Sequence, residues 1–191
     1  MYRIQIFCLF TMLTLLGCKS GQSTTEVLPA DSFAFELLDS TEAAKTIIMD
    51  KKEGFFNHVT KIDMAIQMKK SLQGYENRTD LLESYLSYLQ ADVSDFTDQE
   101  KQNLNKVMIK TMNLCNSLSP NLVPQPVKLI KTKGKHYGDG AFYTRERCII
   151  IPESDLLNFD EDSFLAVLLH ELSHIITRYN PELKDKLYKQ I

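Results

Sequence analysis

Apolar positions recur at steps of three and four through much of the chain. A helix turns about every 3.6 residues, so this pattern predicts helices. Ser40-Thr41-Glu42 opens a first helical stretch with Ala43, Ala44, Ile47 and Ile48 apolar, and Gly54 breaks or bends it. Val59 to Leu72 is a second, with Ile62 and Ile66 facing inward together with Met64 and Met68. Asn77 to Val93 is a third, built on Leu82, Leu86 and Leu89 and flanked by Leu81, Tyr85 and Tyr88. Thr97 to Leu118 is a fourth. Thr97-Asp98-Gln99-Glu100 opens it as a capping box, and Leu104, Val107, Met108, Met112, Cys115 and Leu118 form its inner side.

Prolines 120, 124 and 126 then end the helical pattern. Val127 to Thr132 alternates in part and reads as a strand. The turn-rich run Gly134 to Gly140 precedes two further strands, Ala141 to Thr144 and Cys148 to Ile151. Ile149, Ile150 and Ile151 are apolar in succession, which predicts cover on both faces. Helical spacing returns over 160–179, where Leu165, Leu168, Leu169, Leu172 and Ile176 make a stripe. Asp160 or Asp162 caps its start, and Asn180-Pro181 ends it. Pro181 opens a last helix with Leu183, Leu187 and Ile191 as its stripe. The predicted fold class is therefore α+β: a helical region over 40–118, a small and mostly antiparallel sheet over 126–152, a helix over 160–179 and a final helix over 181–191. These make one domain, 40–191.

The amino terminus follows a different pattern. Arg3 gives a positive start, Ile4 to Leu16 is mostly apolar, and Leu15-Leu16-Gly17-Cys18 follows. This is the layout of a secretory signal, with an apolar run too short for a membrane span. Its end resembles a bacterial lipobox. That resemblance implies cleavage after residue 17 and acylation of Cys18, anchoring the chain to a lipid bilayer. Residues 1–17 are then a lipoprotein signal peptide, and 18–39 a lipid-anchored flexible tether, polar and small-residue-rich in its first part. The expected location is the cell envelope, outside the cytoplasm. Lys19 rather than an aspartate after Cys18 favours the outer membrane if the cell has one. Cys8 leaves with the signal, so Cys115 and Cys148 remain, and neither stands in a C-x-x-C pattern; both are expected as core thiols. The formal net charge is −3, which gives no argument for a nucleic-acid partner.

Candidate chemistry lies in the helix over 160–179. His170, Glu171 and His174 stand in the order H-E-x-x-H. Histidines four apart on a helix share a side, so both imidazoles reach one zinc ion, and the adjacent glutamate reaches a water on that ion. With four histidines in 191 residues, chance supplies roughly 0.005 such matches.

A small sheet with an edge strand followed by a helix bearing H-E-x-x-H resembles the catalytic half of a zincin metallopeptidase, over residues 126–179. The resemblance implies that His170 and His174 bind Zn2+ and that Glu171 takes a proton from the zinc-bound water and passes it to the leaving amine. It also implies that Ala141, Phe142, Tyr143 and Thr144 form an edge strand against which an extended peptide or protein substrate pairs. His136, Tyr137 and Tyr143 are candidates by location for steadying an oxyanion. The metzincin branch continues to a glycine and a third histidine, where this chain has Thr177 and Asn180, so the pattern is nearer the gluzincin branch. That branch takes its third ligand from a later helix, here Glu182 or, as the alternative, Asp185. The chain stops at Ile191 inside the last amphipathic pattern, which leads to the expectation of a carboxy-terminally truncated form that lacks its third ligand. The resemblance implies a membrane-anchored, zinc-dependent peptidase. The alternative is a zincin-like lipoprotein without catalysis that binds a protein partner at the envelope.

Overall fold

A computed structural model describes residues 34–138 and 140–189. The signal segment, Cys18 and most of the tether lie outside the described residues, as do Asp139, Gln190 and Ile191.

Strand β1 (Phe35–Leu37) is followed by helices α1 (Ser40–Thr46), α2 (Phe55–His58), α3 (Lys61–Met68) and α4 (Arg78–Asp92). Strand β2 (Val93–Ser94) leads to α5 (Asp98–Leu118), then β3 (Val127–Thr132), β4 (Tyr143–Arg145) and β5 (Cys148–Pro152). Helices α6 (Glu153–Leu157), α7 (Glu161–Tyr179) and α8 (Pro181–Tyr188) complete the order. No helix among the described residues is long and apolar enough to cross a membrane.

The five strands form one sheet around β3. β5 lies parallel on one side of β3. The other side of β3 is shared: β1 pairs in parallel with Val127–Leu129, and β2 pairs antiparallel at Lys131 and Thr132. β4 is the far edge, antiparallel to β5, with Tyr143 opposite Ile150, Thr144 opposite Ile149 and Arg145 opposite Cys148. The class is α+β as expected, but the sheet is mixed rather than mostly antiparallel. Among the described residues, only β4 and β5 form a hairpin. The connection after β3 carries the chain beyond β5's position to β4, so β5 returns alongside β3 in the same direction. β1 adds a second parallel pair. It comes from residues expected to belong to the tether, so packed structure begins before residue 40.

Alternation along the strands creates two apolar layers. Val127, Leu129, Ile149 and Ile151 face α5 and α7, in a core with Leu104, Met108, Met112, Leu168 and Leu172. Ile130, Cys148 and Ile150 face the other way, in a core with Ala43, Ile47, Met64, Leu81, Tyr85 and Leu89. The run of three isoleucines is thus covered on both sides, as its composition predicts. Cys115 belongs to the first layer and Cys148 to the second. Both are free and buried.

The caps predicted for α5 and α7 are present. Thr97 and Glu100 close a reciprocal capping box on α5, and Asn77 accepts from the backbone of Asp80 at the start of α4. The inward side of α3 matches in part. Met64 and Met68 are buried, while Ile62 and Ile66 are 61% and 68% exposed. Both pairs are four apart, so spacing alone leaves either side eligible. The Thr60–Asp63 capping box fixes the start of α3, and the methionine side meets the core. On α4 the expected Leu89 is buried with Leu81 and Tyr85, while Leu82 and Leu86 are half-buried against the same core, and Leu118 ends α5 in solvent.

Candidate metal centre and cleft

Helix α7 presents the motif. The Asp160 side chain accepts from the Ser163 backbone and caps it. Glu161 pairs with Lys106 at 2.5 Å and Lys110 at 3.4 Å, tying its first turn to α5. Phe164, Leu168, Leu172, Ile175 and Ile176 are buried, a stripe at steps of three and four. Glu171 falls at the margin of that stripe, three residues after Leu168 and four before Ile175. Helix geometry therefore draws its carboxylate inward, and it is only 5% exposed. His170 and His174 fall on the exposed side.

Their rings approach each other. Nε2 of His170 lies 3.0 Å from Nε2 of His174, with ring planes at 88°. Two nitrogens that share a tetrahedral zinc at about 2.0–2.1 Å stand about 3.3–3.4 Å apart. The pair meets that span with a shift of a few tenths of an ångström, and the exposed rings leave its other positions open. The donors fit zinc in type and spacing. Burial raises the Glu171 carboxyl above its ordinary range, against the opposing pull of His174, His170 and Arg178. The result is a desolvated, more basic carboxylate beside two imidazoles.

A cleft of about 360 Å³ runs beside them, lined by Gly140, Phe142, Ala166, Val167, His170 and Glu171. Past Phe142 and Val167 it meets a smaller recess of about 190 Å³ that holds Ser154, Asp155 and Asp160. Asp155 accepts the backbone N–H of Gly140 at 3.1 Å, which fixes the cleft's rim. Gly140 has φ of +72°, and a Cβ there would meet nothing within 4 Å, so the backbone conformation alone calls for glycine.

The expected edge strand is present in part. Tyr143 and Thr144 lie in β4, which is an edge, whereas Ala141 and Phe142 approach it without pairing. Phe142 packs edge-on against Phe164 with centroids 5.6 Å apart. Thr144 turns toward α7 and accepts from Arg178 Nη2 at 2.9 Å. Tyr143 turns the other way, because neighbours in a strand alternate. It bonds His136 Nε2 at 2.9 Å, and Tyr137 lies over it on that same side with centroids 4.9 Å apart. None of His136, Tyr137 and Tyr143 lines the cleft beside His170, so the location-based oxyanion candidates are corrected. Tyr137 instead borders a recess with Phe55, Asp63 and Gln67.

Glu182 and Asp185 are exposed on α8. Among the described residues, no group of three or more His, Cys, Asp or Glu side chains gathers as a metal site, so neither acid joins the histidine pair. Asn180 caps α8 by accepting from Leu183, which leaves Glu182 in its first turn, a position suited to the helix dipole.

Arg178 was not anticipated. It follows His174 by four and Glu171 by seven, so the same helical spacing that predicts the motif also places it on that side. Its Nη1 donates to Glu146 O at 2.8 Å and its Nε lies 2.8 Å from Glu53 Oε2. Comparisons with protein-family models, with curated proteins and with solved structures gave no match.

Proposed function

We propose that this chain is a zinc-dependent peptidase that hydrolyses peptide bonds outside the cytoplasm. The observation that carries the reading is the pair of exposed, facing Nε2 atoms of His170 and His174 beside the buried Glu171, at a cleft walled by the approach to an edge strand. His170 and His174 would hold Zn2+ through Nε2. When bound, zinc supplies Lewis acidity, polarising a carbonyl and making a water more acidic. Glu171 accepts the proton of the attacking water at a carboxylate oxygen and delivers it to the leaving amine nitrogen, which restores the carboxylate. Its burial strengthens it as a base. The approach through Gly140 and Phe142 offers the substrate a wall beside that base.

Glu171→Gln tests the reading. It removes the base and keeps the shape, so peptide hydrolysis should fall by about 10²–10⁴-fold with folding and zinc binding retained. Full activity in the variant rejects the reading.

The second reading is a zincin-like protein that binds a protein partner without catalysis. It is favoured by the two-histidine donor set, to which no third donor is joined among the described residues. Zinc affinity separates the two. A tightly held zinc lost in His170→Ala supports the peptidase, whereas weak zinc binding with no cleavage of a peptide library favours the binding protein. Anchoring through an acylated Cys18 rests on the lipobox-like sequence; Cys18→Ser should release the protein from membranes.

A further inference from the structure

We propose that Asp92, His136 and Tyr143 form a buried clamp that fixes the edge of the candidate cleft, making them positioning residues for a peptide laid along β4. Its use for substrate rests on the peptidase reading above; its mechanical role does not.

β4 needs such a device. It is three residues long and, among the described residues, pairs only with β5. A strand so short contributes few backbone hydrogen bonds and does not hold its own position. The segment leading to it contains Gly134, Gly138 and Gly140, all at positive φ. Glycines give that segment wide conformational choice. Yet Gly140 and Phe142 wall the cleft beside His170 and Glu171, so their placement decides its width.

The clamp runs from α4 to β4. His136 Nδ1 lies 2.5 Å from Asp92 Oδ2, and His136 Nε2 lies 2.9 Å from the Tyr143 hydroxyl. An ionised Asp92 only accepts, so Nδ1 carries the proton and donates to it. In the neutral ring, Nε2 is the acceptor for the Tyr143 O–H. Asp92 also accepts the Lys135 N–H at 3.0 Å, its carbonyl accepts the Lys133 N–H at 2.7 Å, and Tyr88 donates to Lys135 O at 3.0 Å. The last residue of α4 thus holds the loop at 133, 135 and 136 and, through His136, the first residue of β4. Asp92 and His136 are 1% and 4% exposed. Both imidazole nitrogens are engaged, which leaves neither for a reactant. The three side chains thereby tie the end of α4 to the start of β4.

The opposite face is held by α7. Arg178 reaches Thr144 and Glu146 O, and the Tyr179 hydroxyl donates to Glu146 Oε2 at 2.9 Å. Tyr143 and Thr144 are neighbours with opposite orientation, so the strand is bound to both layers at adjacent residues. Burial also pushes the Tyr143 phenol above its ordinary range, which keeps the hydroxyl a donor.

Tyr143→Phe removes one hydroxyl and keeps the ring. Amide hydrogen exchange over residues 140–147 should rise by about ten- to a hundredfold, the loss of one buried hydrogen bond, with α5 and α7 unchanged. In peptide hydrolysis, KM should rise on the order of tenfold while kcat changes less than about twofold. His136→Gln, which keeps one bond, should fall between wild type and His136→Ala. Tyr75→Phe, which loses a hydroxyl contact to Ser84 elsewhere, is the control and should leave the segment's exchange unchanged. Unchanged exchange in Tyr143→Phe, or exchange raised evenly over the whole chain, overturns the clamp. If the wild type cleaves no peptide, the peptidase reading fails while the exchange result still decides the clamp.

Discussion

Glu171 and Glu100 are both buried glutamates, and their surroundings push them in opposite directions. At Glu171 desolvation prevails and the carboxyl is raised. At Glu100 desolvation is outweighed by hydrogen bonds and charge from Lys131 and by the Thr97 cap, and the carboxyl is lowered. Lys131 Nζ sits 2.9 Å from Glu100 Oε1 and is itself 3% exposed. A carboxyl lowered in the fold contributes stability that is present above its unfolded pKa of about 4.3 and is lost as pH falls through the lower folded value. Acid titration followed by circular dichroism should therefore show a stability loss below about pH 4 that shrinks in Glu100→Gln. At neutral pH that variant leaves a buried lysine short of its main partner and should cost about 3 kcal/mol in urea unfolding. Glu171→Gln should instead unfold no more easily than the wild type, since it removes a carboxylate that burial disfavours. The order H-E-x-x-H singles out His170, Glu171 and His174 as candidates from the sequence alone. Asp92 and Arg178 were harder to see. Arg178 shares the motif's helical spacing, whereas Asp92 meets His136 across 44 positions and no local signal joins them.

Among elements, those with a closed local rule were legible. Thr97 to Glu100 announced α5, Asp160 announced α7, and prolines marked the change from helices to strands. The failures share one cause. On α3 the Ile62–Ile66 and Met64–Met68 pairs have the same spacing, and only the tertiary partner decides which is buried. Ile62→Lys and Ile66→Lys should accordingly change stability by less than about 0.5 kcal/mol each. Met64 has no measurable exposure, and Met64→Ala should cost about 2–5 kcal/mol. Chemical denaturation of the three variants checks the assignment. Leu168, also without measurable exposure, is the matching position on α7. Leu168→Ala should cost a similar amount.

For the whole molecule, class and composition were readable and topology was not. The segment Phe35–Leu37 is too short to display a period, and its pairing with β3 depends on residues more than ninety positions away. Parallel pairing of β3 with β5 likewise follows from where β4 sits, which the local sequence does not encode. The same sheet separates the two cysteines, with Cys115 on the inner side of α5 and Cys148 facing α1 and α4. Each layer thereby carries one shielded thiol, a built-in reporter of its own opening. In a domain that opens as a single unit, a thiol-reactive dye added under mildly denaturing conditions should modify both at one opening-limited rate. Two rates would mean that the layers part from the sheet separately, and the faster thiol would name the layer that leaves first.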